Sequence, residues 1–113
     1  LKKGSGGVGA AEKGGALHPT FKPGAHAAES IPARSTSQKF VTAERIEIDR
    51  SGQATGCHTC GSTNPGTKSG HFVPDHQPPS ALNASNSPQK LYPQCINCSR
   101  EQGLAIARAK RGQ

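Results

Sequence analysis

Four cysteines, all in the second half of a 113-residue chain, fall as two Cys-x2-Cys pairs, Cys57/Cys60 and Cys95/Cys98. That spacing is zinc-ligand arithmetic: four thiolates close a tetrahedral structural site, whereas the disulfide framework of a small secreted domain disperses its cysteines. The chain needs such a staple, because only 31% of it is hydrophobic and 4% aromatic, with no Trp, no Met and 14 Gly. Small chains with so little to bury rarely hold together by core packing alone. The expectation is one small α+β domain closed on a zinc ion by Cys57, Cys60, Cys95 and Cys98.

Charge narrows the partner. Fourteen Lys and Arg against seven Asp and Glu leave a formal net charge of +7. That is enough to neutralise several phosphates, so nucleic acid is the first expectation. No long apolar run or signal-peptide core is present, which argues against a membrane span and a secretion address of its own. The start at Leu1-Lys2-Lys3-Gly4 suggests a piece of a longer protein, and the Gly-rich residues 1–16 read as a linker from an upstream domain. Pro19, Pro23, Gly24 and Pro32 forbid a long helix and suit an extended arm over residues 17–36. In that arm His18 and His26 are expected to be solvated rather than ligands.

The domain proper is expected over residues 37–113. Periodicity leaves residues 37–44 undecided between a helical turn and an extended approach. Arg45-Ile46-Glu47-Ile48-Asp49 alternates polar and apolar, so it reads as a half-buried strand ended by a turn, with Glu44, Glu47 and Asp49 in water. Gly56-Cys57-His58-Thr59-Cys60-Gly61 has the form of a zinc knuckle, with His58 turned outward as a surface residue or DNA contact. Residues 80–88 form a polar loop. Residues 99–111 read as a helix capped by Ser99, with Leu104 and Ala107 toward the core and Gly103 at a close approach to another element or to the phosphate backbone. Lys68, Lys90, Arg100, Arg108, Lys110 and Arg111 are the expected phosphate contacts.

Between the cysteine pairs lies Gly70-His71-Phe72-Val73-Pro74-Asp75-His76-Gln77-Pro78-Pro79. If the stretch is extended, Phe72 faces the core while His71, Val73 and Asp75 share the other face. Pro74 restricts it to an edge or a strand end. An Asp beside a His offers a hard oxygen ligand next to a general base, as metal-assisted phosphodiester hydrolysis requires.

Taken together, Cys-x2-Cys-Gly, Asp-His-x-x-Pro and a final Cys-x2-Cys opening a helix resemble the HNH and endonuclease VII superfamily of ββα-metal (His-Me finger) nucleases. The Gly-His-Phe-Val-Pro-Asp-His-Gln-Pro-Pro version is similar to GHH-type toxin nucleases of bacterial polymorphic toxins, including type VI secretion DNase effectors. The likeness covers residues 56–112. It implies a ββα-metal fold with an extended N-terminal arm, Asp75 as ligand of a catalytic Mg2+ or other divalent ion, and His76 as the base that activates water. It makes His71 a candidate second catalytic residue. Ser99 departs from the pattern, since the family usually has His or Asn directly after the final Cys as second ligand of that metal. Ser99 is then a weaker ligand there, supplemented by water, His71, phosphate or Asn97. The resemblance further implies a DNase of low sequence specificity that is secreted through upstream delivery domains into the target bacterial cytoplasm. There a cognate, acidic immunity protein would neutralise it.

Two rivals use the same residues. A non-catalytic zinc-ribbon or treble-clef module would bind nucleic acid with the same cysteines and basic helix, but leaves Asp75-His76-x-x-Pro without a task. A zinc nucleobase deaminase needs His-x-Glu and Pro-Cys-x-x-Cys, whereas His26-Ala27-Ala28-Glu29 and Pro93-Gln94-Cys95 are each out of register by one.

Overall fold

The computed structural model describes residues 18–112. The stretch 1–16, read above as a linker, lies outside them, as do Leu17 and Gln113. Three short strands form one antiparallel sheet flanked by two helices: β1 Ile31–Pro32, α1 Thr42–Thr55, β2 Val73–Gln77, β3 Lys90–Gln94 and α2 Ile96–Arg111. The sheet order is β1-β3-β2, with Asp75 opposite Tyr92 and His76 opposite Leu91. Pro74 therefore sits in an edge strand, where its missing N–H breaks no ladder. Pro93 is in the central strand, but beyond Lys90 and Leu91, where β1 stops pairing. The arm is part of this sheet: Ile31 pairs with Leu91, and a 3-10 turn at Pro19–Phe21 packs against α2.

The expected strand over residues 45–49 is instead the middle of α1. The residues α1 buries are Glu44, Ile48, Ser51 and Gly52, at helical spacing, while Ile46 is 61% exposed. Only one of those four is apolar, so the Ile46/Ile48 alternation was the louder signal and pointed to the wrong period. Glu44 begins the helix by accepting from the Val41 backbone N–H at 3.0 Å, half of a capping box, and from Arg34 N–H at 3.3 Å. Gly52 has a packing reason, since a Cβ there would lie 2.2 Å from the Phe72 ring.

The helix expected over residues 99–111 begins at Ile96, and its cap is Cys95 rather than Ser99. Leu104 is 60% exposed and Ala105 takes the buried position, one residue off the expected face. Gly103 meets nothing within 4 Å, so it marks no close approach to another element of the fold. The core is Ile48, Phe72 and Leu91 together with Cys57, Cys95 and Cys98, with Ile31, Ala33 and Phe40 at its margin. Half of that core is thiol, which ties its integrity to whatever the sulfurs bind.

Candidate metal centre and the polar sites around it

Sulfur geometry is the firmest part of the site. The Sγ atoms of Cys57, Cys60, Cys95 and Cys98 all lie within 4.8 Å of one another, three of them on buried residues and Cys60 exposed. Cys60 Sγ and Cys95 Sγ are 3.8 Å apart. A tetrahedron with zinc–sulfur bonds of about 2.3 Å has sulfur–sulfur edges of about 3.8 Å, so the donor set fits a structural ion such as zinc. Cys95 Sγ also accepts the Cys98 N–H at 3.5 Å, so one ligand sulfur caps α2, and Ile96 N–H donates to Pro65 O at 2.8 Å. Those contacts join knuckle and helix at one point.

As thiols the cluster is unequal. Burial pushes Cys98 and Cys95 up, with the other cysteines adding to the rise at Cys98. Burial opposes ionisation at Cys57 too, but backbone N–H groups from residues 95, 60 and 59 outweigh it and bring that thiol down to about 7.

Asp75 and His76 are both buried, on opposite faces of β2. On the α2 side, Asp75 Oδ2 accepts from His58 Nε2 at 2.8 Å and from Gln77 Nε2 at 2.7 Å. His58 is 1% exposed, which corrects its assignment to the surface. Its Nδ1 accepts the Gly24 N–H at 3.0 Å, so the proton is on Nε2 and the ring is neutral. Asp75 therefore has two neutral donors and, among the described residues, no cationic side chain beside it. Next to it, Gln77 Oε1 is buried without a hydrogen-bond partner. A buried carboxylate and an orphaned amide oxygen are both hard oxygen donors. Ser99 stands in the first turn of α2, half-buried, its N–H donating to Cys95 O.

On the α1 side, His76 Nε2 donates to the Ser35 carbonyl at 2.7 Å. That bond places the proton on Nε2 and leaves Nδ1 as the lone-pair nitrogen, met only by Gln38 Nε2 at 3.5 Å. The Phe40 ring lies 5.5 Å from the imidazole.

His71 belongs to neither face. It is exposed, yet its Nδ1 is 3.0 Å from Asp49 Oδ2, and Asp49 Oδ1 accepts the Phe72 N–H at 3.1 Å. Partial burial alone would raise the Asp49 carboxyl, but the bonds from His71 and Phe72 hold it below its ordinary value. Sequence reasoning set Asp49 aside because it read α1 as a strand; as a helix, α1 turns Asp49 toward His71. His26 is exposed as expected, whereas His18 caps the 3-10 turn through Nδ1 to Thr20 N–H at 3.2 Å. Lys68, Lys90, Arg100, Arg108, Lys110 and Arg111 are all exposed, and Arg100, Arg108 and Arg111 recur at helical spacing along α2.

Comparison with protein-family models, curated proteins and solved structures finds no match for this chain. Among the described residues, no helix is long and apolar enough to cross a membrane.

Proposed function

We propose that this domain is a zinc-stapled, metal-dependent endonuclease that hydrolyses DNA phosphodiester bonds, with His76 as general base. The observation that carries the reading is the His76 ring: Nε2 is pinned to the Ser35 carbonyl at 2.7 Å, and Nδ1 keeps its lone pair. A neutral imidazole held in one tautomer by a backbone carbonyl is prepared to take a proton from water. Asp75, Gln77 Oε1 and Ser99 are the residues that would hold a divalent cation such as Mg2+, which would supply positive charge against the charge developing on the phosphate. The basic stripe of α2 would grip phosphates, and such contacts carry no base information, so cleavage is of low sequence specificity. The resemblance to toxin nucleases extends the reading to a delivered antibacterial effector with an acidic immunity partner, matched to the +7 charge.

Burial of Asp75 at 5% and His76 at 2% exposure favours a second reading, a non-catalytic zinc module that binds nucleic acid. Supercoiled plasmid with Mg2+ separates the two. Metal-dependent cutting should fall roughly 10²- to 10⁴-fold in His76→Ala, the range expected for removal of a general base, while zinc content is unchanged. Zinc-loaded, folded protein that binds plasmid but does not cut it, whichever divalent ion is supplied, would establish the module instead.

A further inference from the structure

A groove of about 350 Å³ opens between α1 and the entry to β2, lined among others by Gln38, Phe40, Arg45 and His71. Its volume is at the small end for a ligand site, of a size for a phosphate with its sugar rather than a whole cofactor. Arg45 is the one charged side chain in its lining. The guanidinium lies 5.9 Å over the Phe40 ring and its Nε reaches the Phe40 carbonyl at 3.4 Å, a weak bond that fixes its direction. Among the described residues Arg45 forms no ion pair, unlike Arg34 and Arg50.

His71 is held from two sides. Its backbone is tied by Thr67 Oγ1 donating to His71 O at 2.7 Å and by His71 N–H donating to Ser69 Oγ at 3.2 Å. Its ring is tied by Asp49 at 3.0 Å, although the side chain is 67% exposed. An exposed side chain ordinarily keeps its rotamer freedom, and here three groups hold ring and backbone while Nε2 is left for solvent or ligand. Asp49 holds the ring through Nδ1, so that in its doubly protonated form, in which both nitrogens donate, the Nε2–H is the one left for an anion.

We propose that this groove is a phosphate-binding subsite for a nucleic-acid backbone, with Arg45 as the anion clamp, His71 as a directed donor and Asp49 as the residue that positions His71. The subsite rests on the nucleic-acid reading of the function. Gln38 connects it to the proposed base, since the same side chain lines the groove and reaches His76 Nδ1.

The test is a titration of the zinc-loaded full chain with inorganic phosphate and with a single-stranded trinucleotide, following the His71 ring nitrogens by NMR. Saturable movement of Nε2 is expected with both probes, at least tenfold weaker in Arg45→Ala. The salt slope of longer-oligonucleotide binding should fall by about one in that variant. In Asp49→Asn, with fold and zinc content checked, the ring should lose its fixed orientation and the trinucleotide should bind more weakly. A His71 signal indifferent to both probes, or equal affinity in wild type and Arg45→Ala, overturns the subsite whether or not the protein cuts DNA. Plasmid cutting lost in His76→Ala but unchanged in Arg45→Ala and His71→Ala leaves the nuclease standing and removes the subsite. The expected titration in a protein that never cuts leaves the subsite standing and removes the nuclease.

Discussion

Asp49 shows how one residue's fate depends on the period of the element that carries it. On a strand its side chain would meet water; on α1 it accepts from the His71 ring and the Phe72 backbone. Because those bonds depress its carboxyl, the stability it contributes is fully present above the unfolded value and is lost as pH falls through the folded one. Asp49→Asn should accordingly be less stable than wild type near neutrality, with the difference closing as pH drops below about 4. Urea midpoints over that range measure it, and a gap that persists into acid would point to lost packing instead. Gly52 is the second residue whose role is steric. Alanine would gain about 1 kcal/mol of helix propensity, but its Cβ would lie 2.2 Å from the Phe72 ring, an overpacking that costs roughly 1–3 kcal/mol. Gly52→Ala should be destabilising on balance, read as a lower urea midpoint with an unchanged slope.

At the level of elements, the segment before β1 behaves as a wall of the site. Thr20 is fully buried, and its carbonyl accepts from Gln77 at 2.8 Å and Gln102 at 2.7 Å, so the 3-10 turn joins β2 to α2 over the Asp75 face. Gly24 completes the attachment by donating to His58, and a Cβ at that position would lie 2.2 Å from the His58 carbonyl oxygen. Gly24→Ala should lift residues 18–26 from the knuckle while leaving the four-sulfur cluster loaded. Hydrogen exchange should then rise across those residues and at Gln77, with zinc content constant; unchanged protection would mean that the turn at Thr20 suffices to hold the arm. The helix α2 carries a different dependence, because its cap is a ligand sulfur. Cys95→Ser keeps a good capping oxygen, so any collapse of α2 in that variant reports the metal rather than the cap.

For the whole molecule the balance between core and metal decides what holds it. Fully burying Ile48, Phe72 and Leu91 is worth roughly 1.5–3 kcal/mol each. A structural zinc contributes on the order of 10–16 kcal/mol in small domains. The metal term is the larger, so removal of zinc by a strong chelator should unfold the domain rather than merely loosen it. Circular dichroism followed during chelation, with refolding on zinc addition, checks this; a native spectrum at zero zinc would show that the polar network on the Asp75 face is the stronger support.

The sequence alone singled out the four cysteines as one candidate ligand set, because two Cys-x2-Cys pairs are a local covalent pattern that survives any arrangement of the rest. The same local reasoning set Pro74 at an edge, Phe72 in the core and a basic helix after Cys98, for each rests on a residue's own geometry or on neighbours within a few positions. Only the tertiary structure decided which polar groups are buried and with whom. His58 meets Asp75 across 17 residues, Asp49 meets His71 across 22, and Ser35 meets His76 across 41. It also placed Asp75 and His76, adjacent in the chain, on opposite faces of β2. A hydrogen-bond partner so distant in sequence leaves no periodic trace, and burial of a polar side chain follows from that partner, not from its own hydropathy.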